Sequence, residues 1–190
     1  MVKQPKPLVE IVSTGRYLPE RVLTNQDLEE IVDTSDEWIR ERTGIRERRI
    51  AREDEGAADM AAAAARVTME KAELDPGQIA IMILTTATPD RWLPSTACDL
   101  QALLGASNAM AFDLAAACSG WLFGLTMAEG YLAAGRGEIA LVVATEKMSS
   151  IVDWDDRATC VLFGDGSGAA VLRRATGERG IISSHHKSDG

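Results

Sequence analysis

Continuous apolar runs and helically spaced apolar residues alternate along most of this chain. Three runs are apolar or β-branched almost throughout, which is typical of buried strands: residues 79–85, 108–114 and 139–145. Three stretches have the spacing of helices that pack on such strands: residues 56–74, 95–104 and 121–132. A run that alternates apolar with other residues, 8–17, adds a first strand. Strands and helices in this order predict one domain with a layered α/β fold.

Two short helices are predicted between the first strand and the first long helix. One covers residues 25–32, with Asn25 as its cap. The other covers residues 36–42, and either Thr34 or Ser35 can cap it, while Gly44 ends it.

A glycine-rich segment at residues 164–168 lies between two predicted strands, 158–163 and 169–173. Counted together with Ala169, the segment fits the dinucleotide-binding pattern G-x-G-x-x-G/A. That pattern requires a helix after the glycines, whereas a strand follows here, so we interpret the segment as a hairpin turn. A last strand is predicted at residues 180–184.

Composition narrows the class of protein. The 190 residues are 46% hydrophobic and 26% charged, which is typical of a globular domain. A net charge of -9 argues against nucleic acid and anionic membranes as partners, and no apolar run is long enough to span a bilayer. The start of the chain also lacks the apolar segment of a secretory signal. Three cysteines without CxxC spacing favour free thiols in a reducing compartment, by default the cytoplasm, over a disulfide framework or a zinc site.

Six arginines lie close together between residues 40 and 52 and outweigh the two glutamates among them: Arg40, Arg42, Arg46, Arg48, Arg49 and Arg52. One interpretation is a solvated face with local ion pairs. The other is a site for phosphates, which the planar guanidinium group binds in bidentate fashion. Trp38 lies one helical turn before Arg42 and offers a flat surface to a ring, so the segment suits a nucleotide-like ligand.

Cys118 follows the apolar run 108–114 and three alanines, and it precedes a helix. At the first turn of a helix, unpaired amide groups and the positive end of the dipole point at a side chain. These groups stabilise a thiolate, so Cys118 is a candidate nucleophile. The alternative is an inert buried cysteine, since cysteine is among the most frequently buried residue types.

The two histidines, His185 and His186, are not assigned a catalytic role. Nothing in the sequence relates them to Cys118, and adjacent residues on a strand point to opposite faces. The sequence contains no HExxH zinc motif and no phosphate-binding P-loop, so no metal site is predicted.

Four short motifs together resemble β-ketoacyl-acyl-carrier-protein synthase III, the initiating condensing enzyme of bacterial fatty acid synthesis: DTSDEWI at 33–39, RTGIR at 42–46, AAACSG at 115–120 and FGDG at 163–166. The resemblance extends from about residue 11 to residue 190. It implies a thiolase-like layered fold, in which a mixed five-stranded sheet packs on a buried helix after the nucleophilic cysteine. Residues 1–175 would form the N-terminal half of that fold, and 176–190 would begin the connection to a second half.

The resemblance also implies roles for individual residues. Cys118 would take an acyl group from acyl-coenzyme A as a thioester, with coenzyme A as substrate and no permanently bound cofactor. Trp38 and Arg157 would sandwich the adenine ring of coenzyme A, while Arg42 and Thr34 would line its nucleotide site.

Partners are likewise implied by the family. Malonyl-acyl carrier protein would be the second substrate, and two copies would form a homodimer. Leu93 falls where the family places a residue that closes the partner's acyl pocket, although the best-known members have phenylalanine there. The family's catalytic histidine and asparagine lie in the second half, so this chain alone is expected to be acylated slowly and not to condense, and a C-terminal segment is expected as a further partner.

Two alternatives remain at this point. One keeps the fold and the cysteine but assigns the chain to a related condensing enzyme of polyketide or other specialised metabolism. The other is a non-catalytic thiolase-like half that only binds or dimerises.

Overall fold

A five-stranded mixed sheet organises the computed structural model, which describes residues 7–189. Its strands in chain order are β1 Val9–Tyr17, β4 Ile81–Thr85, β5 Met110–Leu114, β6 Ile139–Lys147 and β7 Asp165–Arg174. The spatial order is β1-β7-β6-β4-β5, with β4 parallel to β5 and β6, and with β7 antiparallel to β1 and β6. A separate antiparallel ribbon pairs β2 Arg21–Thr24 with β3 Glu47–Ile50.

Three long helices cover the sheet, α3 Ala57–Lys71 and α4 Thr96–Leu104 on one face and α5 Gly120–Ala133 on the other. Three short helices pack with the ribbon around a separate small core: α1 Asn25–Glu29, α2 Asp36–Thr43 and α6 Arg157–Cys160. Because successive strand residues point to opposite faces, Met82 and Leu84 pack in the core beneath α3 and α4. Ile81 and Ile83 pack in the second core, beneath α5. The predicted layered α/β fold with a mixed five-stranded sheet is confirmed.

Burial differs between the neighbouring strands β4 and β5. All five residues of β4 are buried, as predicted from its β-branched run. The prediction that residues 108–114 form a buried strand is wrong in its burial, because Met110 is 50% exposed and the rest of β5 is partly exposed. β5 is the last strand of the sheet, so one side has no neighbour; the apolar composition predicted the strand but not its place.

Helix α5 approaches the sheet unusually closely through small side chains. Its buried face consists of Gly120, Gly124, Ala128 and Leu132. A Cβ atom at Gly124 would lie 3.0 Å from both Thr85 Cγ2 and Val142 Cγ1, so only glycine fits without displacement. On the side away from the sheet, Leu122 and Met127 are each 52% exposed.

The predictions for residues 158–168 are wrong. The predicted strand 158–163 begins instead with the short helix α6, because Asp156 caps it by accepting the Ala158 N–H at 2.9 Å. Residues 165–168 of the predicted hairpin belong instead to the continuous strand β7, where Gly168 pairs with both β1 and β6 and Gly166 pairs with β6. Glycine serves here because neighbours come close: a Cβ at Gly166 would lie 3.2 Å from Leu18 Cδ2.

The C-terminal residues also differ from expectation. Residues 180–184 form no strand, since among their backbone groups only the Ile181 N–H is seen to bond across to β1, with the Val9 carbonyl at 2.8 Å. Residues 175–189 contain no helix or strand, and the division of the chain at residue 175 stays a prediction. The ribbon of β2 and β3 was missed because arginines and glutamate dominate its second strand.

Two negative findings apply to residues 7–189. No helix there combines the length and the apolar character needed to cross a bilayer. No group of three or more His, Cys, Asp or Glu side chains there has the arrangement of a metal site.

Replacing Gly124 by leucine is expected to lower the free energy of unfolding by about 2 kcal/mol, since overpacking forces α5 away from β4 and β6. Gly130→Ala on the same helix is the matched control, because nothing lies within 4 Å of its Cβ position. That control should instead stabilise by about 0.5–1 kcal/mol through helix propensity. Urea denaturation measures both, and equal stability of the two variants would contradict the packing argument.

Candidate active site

Cys118 lies in a tight turn between β5 and α5, and its side chain is exposed. The 3-10 turn Ala117–Ser119 continues directly into α5 at Gly120. Ala117 has φ of 44°, a left-handed conformation that costs a non-glycine residue roughly 1–2 kcal/mol. The predicted position of Cys118 between a strand and a helix is confirmed, whereas the alternative of a buried cysteine is wrong.

Contacts with two other elements hold this turn in place. The buried Gly120 packs on the last residue of β4, so closely that an added Cβ would lie 3.0 Å from Thr85 Cβ. On the β5 side, the Asp113 carboxylate accepts the N–H groups of Thr96 at 2.9 Å and Ala97 at 2.7 Å. These two bonds cap α4 and tie the end of β5 to it. The backbone on both sides of Cys118 is thereby fixed.

Glu146 organises the neighbouring loop between β4 and α4. Its carboxylate accepts the Ala87 N–H at 2.9 Å and the Thr88 hydroxyl at 2.7 Å. The same loop continues to Leu93, which is 86% exposed. Leu93 therefore points outward from this chain, and its implied place in a partner's acyl pocket stays a prediction.

Trp38 and two arginines form a second cluster, on α2 and α6. The cap residue of α2 is Ser35, one of the two predicted candidates, and Gly44 ends the helix as predicted. Arg42 Cζ lies 4.4 Å from the centroid of the Trp38 ring, and Arg157 Cζ lies 4.9 Å from it. Residues far apart in sequence thus meet, as their implied roles require.

The position of Arg157 is set by the loop before α2. Its Nη1 donates to the Asp33 carbonyl at 2.9 Å. Asp156 caps α6, and its hydrogen bonds from the Thr159 hydroxyl and the Ala158 N–H hold the pKa of its carboxyl below the usual value. Thr34 lies beside Asp33, and its hydroxyl oxygen is buried with no hydrogen-bond partner among the described residues.

A planar ring does not fit between Arg157 and Trp38 as they stand. Two layers of van der Waals contact need about 7 Å between the flanking groups, since carbon atoms pack at about 3.5–4 Å. The observed distance is 4.9 Å. Arg157 is exposed, so its side chain can move aside at small cost.

The arginine-rich segment does not form one surface. Three of its members pair with carboxylates at 3.0–3.4 Å: Arg40 with Asp36, Arg49 with Glu47 and Arg52 with Asp54. Arg48 is buried, and Arg42 lies over Trp38. Local ion pairing therefore explains half of the segment, and Arg42 is the member that joins the aromatic cluster.

A cleft of about 530 Å³ lies between the ribbon of β2 and β3 and the segment that follows β6. Trp154, which lines it, packs on the same small hydrophobic core as Trp38. Lys147 also lines the cleft, but its ammonium group already donates to the carbonyl oxygens of Arg52 and Glu55.

The histidines lie on the outer side of α5. His186 Nε2 is 2.7 Å from the Thr126 hydroxyl oxygen, and its ring meets Phe123 edge-on. His185 is exposed. Among the described contacts, none links either histidine with Cys118.

Comparison with known proteins adds to this geometry. The family model for 3-oxoacyl-[acyl-carrier-protein] synthase III matches residues 112–190. The β-ketoacyl-[acyl-carrier-protein] synthase III of Methylococcus capsulatus is 56% identical over 180 residues, which cover 95% of this chain and 56% of that protein. The chain belongs to the β-ketoacyl-acyl-carrier-protein synthase III family.

Solved structures agree with membership of the synthase III family. The synthase III from Aquifex aeolicus superposes with a TM-score of 0.87 at 51% identity, covering 89% of this chain and 55% of that one. The priming β-ketosynthase from the R1128 polyketide biosynthetic pathway superposes with a TM-score of 0.86 at 38% identity, covering 92% and 52%. The chain thus spans about half the length of each of these relatives.

Cysteine exposure gives a direct test of the site. Cys160 is fully buried, and burial raises the pKa of its thiol, whereas Cys98 and Cys118 are exposed. Iodoacetamide at neutral pH should therefore modify Cys160 at least about 100-fold more slowly than the other two, because it must wait for local opening. Peptide mass spectrometry over time measures the three rates. In urea the three rates should converge, and a fast Cys160 in the native chain would contradict the structure.

Proposed function

We propose that this chain carries the acyl-accepting site of a β-ketoacyl-acyl-carrier-protein synthase III. In the proposed reaction, a short acyl group passes from acyl-coenzyme A to Cys118, and the acyl-enzyme then condenses with malonyl-acyl carrier protein to start fatty acid synthesis. The exposed Cys118 at a rigid strand–helix turn carries this proposal. Family membership supplies the substrates.

In the first step the Cys118 thiolate attacks the carbonyl carbon of the acyl-coenzyme A thioester. A new carbon–sulfur bond forms, the old one breaks, and coenzyme A leaves as a thiolate that takes up a proton from water. The negative charge on the carbonyl oxygen needs hydrogen-bond donors while it exists. The backbone N–H of Cys118 is proposed for this role, worth roughly 3 kcal/mol per donor, since the N–H groups of Ser119 and Gly120 already donate to the carbonyls of Ala116 and Ala117.

The Trp38 cluster supports the proposal as the site for the nucleotide end of coenzyme A. Stacking of a base on an aromatic side chain contributes roughly 1–3 kcal/mol. Arg157 would swing away from Trp38 and close over the adenine from the other side. Arg42 and Thr34 would then lie towards the phosphates, which Arg42 attracts although the chain as a whole carries a net charge of -9.

In the second step malonyl-acyl carrier protein loses carbon dioxide, and the resulting enolate attacks the Cys118 thioester. The carbon–carbon bond that forms releases the Cys118 thiolate. Acyl carrier protein as the partner rests on family membership.

A second candidate function, priming of polyketide synthesis, is favoured by the similarity to the R1128 priming β-ketosynthase. The two differ in the acceptor and in the acyl group, and Leu93 is proposed to influence the latter from across a dimer interface.

A homodimer is the proposed assembly, through the open edge of β5. Met110 donates to Ala80 and Leu114 accepts from Thr86, so these alternate residues face β4. The N–H of Ala111 consequently points away from β4, at an edge that a second copy can pair with. An apolar groove of about 670 Å³ lies alongside and includes Met110 and Phe112.

The acylation step is tested by incubating the 190-residue chain with acetyl-coenzyme A and measuring intact mass. We expect the mass of one acetyl group to be added at Cys118, with none on Cys118→Ser. Cys98→Ser is the matched control, because Cys98 is also an exposed thiol near the start of a helix. The Cys98→Ser variant should be acetylated at Cys118 to the same extent as the unchanged chain. Labelling that is absent, or equal on Cys98 and Cys118, would support the alternative of a non-catalytic half.

The dimer is tested by Ala111→Pro, which removes one edge N–H and leaves the bonds between β4 and β5 intact. Sedimentation velocity should show dimers for the unchanged chain and monomers for the variant. Ala111→Gly is the matched control. It keeps the N–H group at the edge of β5, so this variant should remain dimeric. A dimeric Ala111→Pro variant would place the interface elsewhere.

A further inference from the structure

Arg48 is buried with only 4% of its surface exposed, and within residues 7–189 it has no carboxylate partner. Its Nη1 donates to Asn25 Oδ1 at 2.7 Å and its Nη2 donates to the Val161 carbonyl at 2.6 Å. Burial lowers the pKa of the guanidinium, and its Nε has no described partner. Burying a cation without a carboxylate partner costs free energy, which indicates that the two hydrogen bonds of Arg48 have a specific role.

Asn25 extends the first of these bonds to the helix that carries Trp38. The side chain is fully buried, and its Nδ2 donates to Asp36 Oδ1 and to the Ile45 carbonyl, both at 2.8 Å. Asp36 is the first residue of α2, and Ile45 follows the residue that ends it. Asn25 therefore holds both ends of α2, and its bond keeps the pKa of the Asp36 carboxyl below the usual value.

The second bond of Arg48 reaches the helix that carries Arg157. Val161 is the residue that ends α6, and Arg157 is the first residue of the same helix. Arg48 and Asn25 thus connect α6 with α2 through side chains alone. The small hydrophobic core between these helices includes Ile39 and Cys160, but apolar contact sets no fixed angle.

We infer that Arg48, acting through Asn25, is a positioning residue that sets α2 relative to α6 and so aligns Trp38 with Arg157 for the adenine of coenzyme A. The guanidinium suits this role because its donors form a rigid fork, which the single flexible ammonium of lysine does not reproduce. This inference rests on the proposed function of the Trp38 cluster. Arg48 itself would not contact coenzyme A.

The test compares two readouts in Arg48→Lys, Arg48→Met and Asn25→Ala. One is the Kd of free coenzyme A from isothermal titration calorimetry, and the other is the rate of Cys118 alkylation. We expect coenzyme A to bind roughly 5- to 30-fold more weakly. The Cys118 rate should stay within about twofold, because contacts with Thr85 and Asp113 hold that turn independently.

Ile83→Val controls for a general loss of stability, since Ile83 is buried in β4 within a different core. At a temperature chosen to give equal unfolded fractions, this control should bind coenzyme A normally. Weakening of the same size in Ile83→Val would overturn the inference. If Arg48→Met does not fold, the same measurements on Arg48→Lys and Asn25→Ala test the inference.

A double-mutant cycle with Trp38→Ala separates this inference from the proposed function. Trp38→Ala alone should weaken coenzyme A binding, and adding Arg48→Lys should then change little, because no ring remains to be aligned. Fully additive losses would overturn the positioning role while leaving the nucleotide site in place. Unchanged affinity in Trp38→Ala would contradict the nucleotide site itself.

Discussion

Close packing between the start of α5 and the end of β4 is the constraint on which the Cys118 site depends. Gly120 and Gly124 let the helix lie against Thr85 and Val142 without intervening side chains. The helix is thereby fixed to a strand that is buried along its whole length. Cys118 lies two residues before Gly120, so its backbone is held in place by the same packing. This packing also keeps Ala117 in its left-handed conformation.

At the end of the sheet where Cys118 lies, carboxylates connect neighbouring loops through hydrogen bonds. Asp113 and Asp90 each accept two consecutive backbone N–H groups at the start of a helix. Glu146 holds the loop after β4, and Asp165 accepts the N–H groups of Ala51 and Ser149. Part of the net negative charge of the chain is therefore structural. A carboxylate that accepts two N–H groups orders a loop without needing a cation.

The proposed nucleotide site is built differently from the cysteine site. It lies on two short helices joined to a two-stranded ribbon, around its own small core. Short helices have little stability alone, so caps and buried polar bonds decide their orientation. Ser35 and Asp156 provide the caps, and Arg48 with Asn25 provides the buried bonds. Flexibility is left to Arg157, the exposed member of the cluster.

Local chemistry was readable from the sequence. Apolar runs predicted β4 and β6. Gly44 was predicted to end α2 and Ser35 was one of two predicted caps, because capping and the left-handed conformation of glycine are local properties. Cys118 and Trp38 were found through their neighbours in sequence and a family resemblance. The glycines at 166 and 168 led to a wrong prediction of a turn, since glycine also occurs within strands, and here both residues pair with β6.

Only the tertiary structure decided which residues meet over long distances. Whether β5 is central or at an edge depends on strand order, which the composition of one strand does not encode. Asn25 looked like a helix cap, yet Thr24 caps α1 and Asn25 turns inward to Asp36. Arg48 looked like one more surface cation among arginines. Its burial follows from the packing of the ribbon against α6, a contact between segments more than one hundred residues apart.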